Sequence, residues 1–78
     1  MQETKLRKHR KKAGISINRL AKLSGLSYTL VWRADIGLEG VGIESKKKIA
    51  DALGTDIVTL FPEVLQHLKH IQMFIPKD

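Results

Sequence analysis

The chain contains no cysteine, which excludes a disulfide framework and a thiolate zinc site and fits a reducing, cytoplasmic setting. It also lacks any apolar run near the roughly 20 residues needed to span a bilayer. Residues 14–26 are too broken by polar side chains to serve as a signal-peptide core, so a soluble protein with no membrane association is expected. Aromatic residues are few (one Trp, one Tyr and two Phe), and the stacking sheet that many RNA binders use is missing. No nucleophile–base constellation occurs, and no phosphate-cradling glycine loop leads into a Lys-Ser/Thr helix. Nothing points to an enzyme or to a cofactor.

What the chain does have is positive charge at one end. Of its 78 residues, the first 19 carry Lys5, Arg7, Lys8, Arg10, Lys11, Lys12 and Arg19 against the single acid Glu3. Beyond them seven basic and seven acidic residues cancel, so the whole net charge of +6 sits in the first quarter. Such an end reads either as a nucleic-acid contact surface or as a solubilising helix face. The length allows one domain, and a domain this small leaves roughly 40% of its unfolded-chain surface exposed.

Glycine and proline divide the chain into short helical segments, with no alternating run for a strand, so the fold class is all-α. A first helix is expected over about residues 4–13, with Leu6, Arg10 and Ala13 on its inner stripe and Gly14 as its stop. Ser16 caps a second helix to about residue 24, with Ile17, Leu20 and Ala21 to one side. Ser27 caps a third that ends near residue 34 or 35. A fourth is expected over about 44–53, with Ile49, Ala50 and Leu53 inward, and a short fifth capped by Thr55 or Asp56 ends at Phe61. Pro62 suits the first turn of a sixth helix reaching about residue 74.

Residues 17–36 are the most informative. Two short helices that meet at a tight turn need a small residue where they cross, and Ala21 supplies it. They need a turn residue that tolerates positive φ, and Gly25 supplies that. Leu20, Leu26, Val31 and Ala34 provide the apolar lock. With Val31 and Ala34 buried, helical periodicity forces Tyr28, Thr29, Trp32 and Arg33 outward, as a major-groove reader requires.

From Leu6 to Phe61 the chain resembles the lambda-repressor-like (Cro/CI, or XRE) family of helix-turn-helix regulators. The matching positions are Leu6-Arg7-x-x-Arg10, Ala13-Gly14-Ile15-Ser16, Leu20-Ala21, Gly25-Leu26-Ser27, Val31, Asp35-x-Gly37, Ile49-Ala50-x-Ala52-Leu53 and Leu60-Phe61. They fall in register without gaps over about 56 of the 78 residues. The resemblance implies a five-helix DNA-binding domain over residues 1–61, with its helix-turn-helix at 17–36, acting as a transcriptional regulator and usually as a dimer. A repressor is the expected form. The chain departs from the family at Ile17, where Gln is common, at Trp32, usually small and polar, and at Lys46, usually apolar. It departs again at Gly40-Val41-Gly42, which lacks the usual polar or basic groups.

The resemblance implies base reading by Tyr28, Thr29, Trp32 and Arg33; phosphate contacts are expected from Ser16 and Ser27, with Lys46 and Lys47 compensating for the uncharged loop. Arg33 sits where a guanidinium could fork onto a guanine edge. Trp32 has two readings, a contact to thymine methyls or sugars, or packing on a partner or on the glycine-rich loop. Arg10 and Asp35, each beside inward positions, are expected to form an ion pair between the first helix and the end of the third. Asp is one methylene shorter than the family's usual Glu, so a longer or water-bridged contact is anticipated. The rival function is a protein-interaction module of the same fold, an antitoxin or a module that binds a regulatory protein, with weak DNA binding.

After Pro62, residues 62–78 form a separate C-terminal element. Val64, Leu68, Ile71 and Ile75 recur at spacings of 4, 3 and 4, with Leu65 widening the stripe. This stripe is expected to join two copies into a homodimer, the arrangement that suits a palindromic site, with folding back on its own domain as the alternative. Glu63, His67 and His70 lie one turn apart, but a third or fourth ligand and an enclosing shell are missing, so no metal is expected.

Overall fold

A computed structural model describes residues 3–65. Five helices follow in order: α1 (Lys5–Lys12), α2 (Ile17–Ser24), α3 (Tyr28–Ile36), α4 (Ile43–Ala52) and α5 (Ile57–Leu60). There is no strand among the described residues, and no helix among them is long and apolar enough to cross a membrane. Helix α2 packs on α3 and α4, α4 on α5, and α1 on α3 and α5.

Local chemistry sets the ends of the first three helices. Thr4, Ser16 and Ser27 each accept a hydrogen bond from the backbone N–H three residues on, at 3.0, 3.1 and 3.2 Å. A cap of this kind contributes about 1 kcal/mol. Two of the stops need glycine outright. Gly25 at φ +74 lets the Leu26 N–H reach back to the Ala21 carbonyl, which makes the α2–α3 turn tight. Gly37 at φ +82 lets the Leu38 N–H return to the Arg33 carbonyl.

The core draws on every element: Leu6, Leu20, Ala21, Val31, Ala34, Ile49, Ala50, Leu60 and Phe61, with Val41 from the α3–α4 loop and Val64 beyond α5. Ala21 lies buried in α2, where its single methyl lets α3 approach. Ile15, Ile17, Leu26, Leu30, Leu53 and Ile57 pack half-buried around it.

Several boundaries and faces differ from expectation. Ala13 is exposed rather than inward, because α1 ends at Lys12 and Ala13 is its cap; the helical period no longer applies there, and Ile15 packs against the core instead. Helix α3 continues to Ile36, and α4 begins one residue early at Ile43, with Gly42 as a cap that has no side chain to accept a capping hydrogen bond. Val64 is a correction of a different kind. Expected on a stripe facing a second copy, it is buried in the domain's own core. The reason is local. Its N–H bonds the Phe61 carbonyl at 3.0 Å and the Leu65 N–H bonds that of Pro62 at 3.1 Å, a tight turn that folds Val64 over Phe61. The packed unit therefore runs past residue 61. Leu65 is exposed, whereas Leu68, Ile71 and Ile75, with most of the expected sixth helix, lie outside the described residues.

Gly37 also closes on the start of α1. A Cβ built on it would stand 3.1 Å from Thr4 Cγ2, in a left-handed conformation. Gly14, at φ +70, has nothing within 4 Å. Gly14→Ala is expected to cost about 1–2 kcal/mol from backbone strain alone, and Gly37→Ala clearly more. Equal losses in urea denaturation would show that the Thr4 contact carries no weight.

Candidate nucleic-acid interface

The α2–turn–α3 unit fixes what α3 presents. Leu20 and Val31 are completely buried and Ala34 nearly so, which anchors the inner side of α3 against α2. The outer side then carries Tyr28, 50% exposed, Trp32, 40% exposed, and the exposed Thr29 and Arg33. Tyr28 with Trp32 and Thr29 with Arg33 stand one helical turn apart, so the four side chains form a single face. Ile36, a further turn along from Trp32, extends the aromatic edge, and Leu38 and Leu23 are also exposed. Sequence reading missed Ile36 because it ended the helix too early; the spacing of four from Tyr28 through Trp32 to Ile36 was the available signal.

Arg33 is the only basic residue of α3 and has no carboxylate within 4 Å among the described residues. Its Nη1 lies 3.9 Å from where a Cβ on Gly40 would be, so the guanidinium leans over the α3–α4 loop. On the solvent side of α2, opposite Leu20 and Ala21, Arg19 and Lys22 are likewise exposed and unpaired among the described residues.

The four residues expected at phosphates divide. Ser16 and Ser27 sit at the N-termini of α2 and α3, their Oγ atoms accepting the capping bonds. Neither hydroxyl donates to a protein acceptor among the described residues, so each proton is open to an external oxygen. Lys46 does not present its amine to solvent as expected. Its side chain is only 19% exposed, with Nζ 3.1 Å from Glu63 Oε2 and 5.4 Å from the centre of the Phe61 ring. A lysine where an apolar residue is usual lays its stem along the core edge and turns its charge to the nearest acid and aromatic face. Lys47 is exposed and pairs with Asp51 at 2.9 Å, one turn along α4.

Behind this face, Arg10 and Asp35 pair directly. Arg10 Nε donates to Asp35 Oδ1 at 2.8 Å and Nη2 to Oδ2 at 3.1 Å, while Nη1 donates to the Ile15 carbonyl at 2.9 Å. The contact is neither lengthened nor displaced by the shorter acid. Thr4 adds a second tie: its hydroxyl donates to the Asp35 carbonyl at 2.6 Å while accepting from the Arg7 N–H. The end of α3 is thus fastened to the start of α1 and to the α1–α2 turn. Around it, Arg7 Nε lies 3.5 Å from Glu3 and 4.0 Å from Asp35, buried without a hydrogen-bond acceptor. The hydrogen bond from Lys11, with the nearby charges of Lys11, Arg7 and Lys8, holds the exposed Glu3 carboxyl below its ordinary pKa.

Comparison with protein-family models, with curated proteins and with solved structures gave no match to this chain, so the reading of this surface rests on its own residues and geometry.

Proposed function

We propose that the chain is a sequence-specific DNA-binding regulator of transcription, a repressor of the lambda-repressor-like type, that places α3 in the major groove of duplex DNA. One observation carries the reading. Two capped helices meet at a left-handed Gly25 and turn Tyr28, Thr29, Trp32 and Arg33 to solvent as one face. The bidentate Arg10–Asp35 pair supports it by fixing that helix against the rest of the domain. Arg33 reads a guanine edge, and Trp32 with Tyr28 contacts thymine methyls and sugars. Ser16 and Ser27 place hydroxyls and helix N-termini at phosphates, with Arg19 and Lys22 adding charge. The chain acts as a homodimer, its two α3 helices about 34 Å apart to match one turn of B-DNA.

Selection of bound duplexes from a random pool tests this directly; a two-fold consensus is the expected result, and an unenriched pool rejects it. Arg33→Ala should then relax preference at one position of each half-site, at a cost of about 1–3 kcal/mol there. Equal weakening on selected and random DNA would remove Arg33 from the reading set.

A second reading has its own observation. The α3 face holds one charge and an apolar edge of Tyr28, Trp32 and Ile36, flanked by Leu23 and Leu38, which suits a protein partner as an antitoxin or regulator-binding module would meet it. Salt separates the two. DNA binding weakens steeply between roughly 50 and 200 mM salt, whereas an apolar protein contact changes little.

A further inference from the structure

The cations of α1 lie on two flanks that the fold treats differently. Leu6 and Arg10 point into the domain between them. On one flank Lys11 Nζ is 2.7 Å and Arg7 Nε 3.5 Å from Glu3, so an acid answers both. On the other, Lys5, Lys8, His9 and Lys12 recur a turn apart and line one open recess together with Thr59 of α5. None of these three lysines has a carboxylate within 4 Å among the described residues. The recess shares no residue with the outer face of α3.

What such a surface fits follows from what it lacks. Protein interfaces are anchored by buried aromatic, aliphatic or arginine side chains surrounded by near-neutral contacts. The large apolar residues exposed among the described ones are Leu23, Tyr28, Trp32, Ile36, Leu38, Ile43 and Leu65, and none lines this recess. A polyanion needs no such anchor, only cations at a matching density. Lys5 and Lys12 are about 10 Å apart along the helix axis, and duplex DNA presents one charge per roughly 1.7 Å of its axis. Three ammonium groups in that span meet several phosphates at once, and the Thr59 hydroxyl can donate to a phosphate oxygen.

We propose that this flank of α1, Lys5, Lys8 and Lys12 with Thr59, is a sequence-independent contact for the phosphodiester backbone of duplex DNA, separate from the α3 face. The inference rests on the DNA-binding reading above and adds to it where the unspecific part of the affinity originates. It explains why the excess charge of the chain lies at the end that does not read bases.

The test uses the full chain with Lys5→Gln, Lys8→Gln and Lys12→Gln combined, binding a random duplex and the selected duplex across a salt series. The slope of log affinity against log salt should become shallower by up to about 3, since each phosphate contact contributes about 0.9. Affinity for both duplexes should fall by the same factor, and the preference between them should stay unchanged. Circular dichroism checks that the variant is folded, and Thr59→Val with Lys8→Gln gives a milder second variant. Lys11→Gln, removing a lysine already paired with Glu3, should barely alter the slope. An unchanged slope in the folded triple variant, with wild-type protein still binding DNA, overturns this contact and leaves the α3 reading intact. A wild-type chain that binds no duplex overturns both. Binding of poly-glutamate but not duplex through these lysines would assign the flank to an acidic protein and overturn it as well.

Discussion

Asp35→Asn or Arg10→Met is expected to remove about 3–5 kcal/mol of folding stability, the cost of leaving one partner of a buried pair uncompensated. The premise is enclosure. The Asp35 side chain is 1% exposed and that of Arg10 11%, and both carboxylate oxygens accept from the same guanidinium. At about 0.05–0.15 kcal/mol per residue a chain of this size has about 4–12 kcal/mol to lose, so either single variant should give up a large part of its stability. The double variant Arg10→Met with Asp35→Leu should recover much of the loss, because apolar side chains of similar volume need no desolvation of charge. Denaturant unfolding of the wild type, Arg10→Met, Asp35→Leu and their double gives the coupling energy as a thermodynamic cycle. Singles within about 1 kcal/mol of wild type would place the pair with exposed ones such as Lys47–Asp51, which contribute about 0.3–0.5 kcal/mol. The functional consequence is separate from the stability loss. Asp35 is the penultimate residue of α3, so loosening it frees the helix that carries Arg33 and Trp32.

The features readable in the sequence were those set by chemistry within a few residues. Ser16 and Ser27 announce helix starts because their hydroxyls satisfy a nearby N–H, and Gly14 and Gly25 announce stops because only glycine turns left without strain. The outward position of Tyr28, Thr29, Trp32 and Arg33 followed from Val31 and Ala34 being inside, since the period of a helix leaves no other choice. The Arg10–Asp35 pair was legible from two charges beside inward positions together with the family resemblance, although its direct geometry was not. What was misread came from helix ends placed a residue or two off and from packing between distant segments. Ala13 lies at the end of the inner stripe of α1, but the helix stops first. Ile36 faces solvent only because α3 runs further than a stop at residue 34 or 35 allowed. Lys46 looked like a free phosphate ligand until Glu63 and Phe61, some 15 residues away, took its amine. No local pattern encodes that meeting.

Val64→Asp and Leu65→Glu, neighbours on the same turn, should behave in opposite ways. Val64 is 4% exposed and in the cluster with Leu60 and Phe61, so a carboxylate there would be placed among apolar side chains. A loss of at least about 3 kcal/mol is expected, as for any uncompensated charge in a core, and the chain should unfold or nearly so. Leu65 is 43% exposed, and a surface change of this kind typically shifts the stability of one protomer by no more than about 0.5 kcal/mol. If Leu65 belongs to the face that joins two copies, Leu65→Glu, alone or with Leu68→Glu and Ile71→Glu, should instead abolish the dimer while circular dichroism stays native. Sedimentation across a concentration series reads this, and affinity for a two-fold site should fall with the dimer while affinity for a half-site holds. General unfolding of the Leu68→Glu, Ile71→Glu variant would mean that the whole stripe, and not Val64 alone, belongs to the monomer's core. A wild-type chain that sediments as a monomer at high micromolar concentration would remove the homodimer from the proposal, and an operator would then have to be met by one α3 helix and the phosphate contacts beside it.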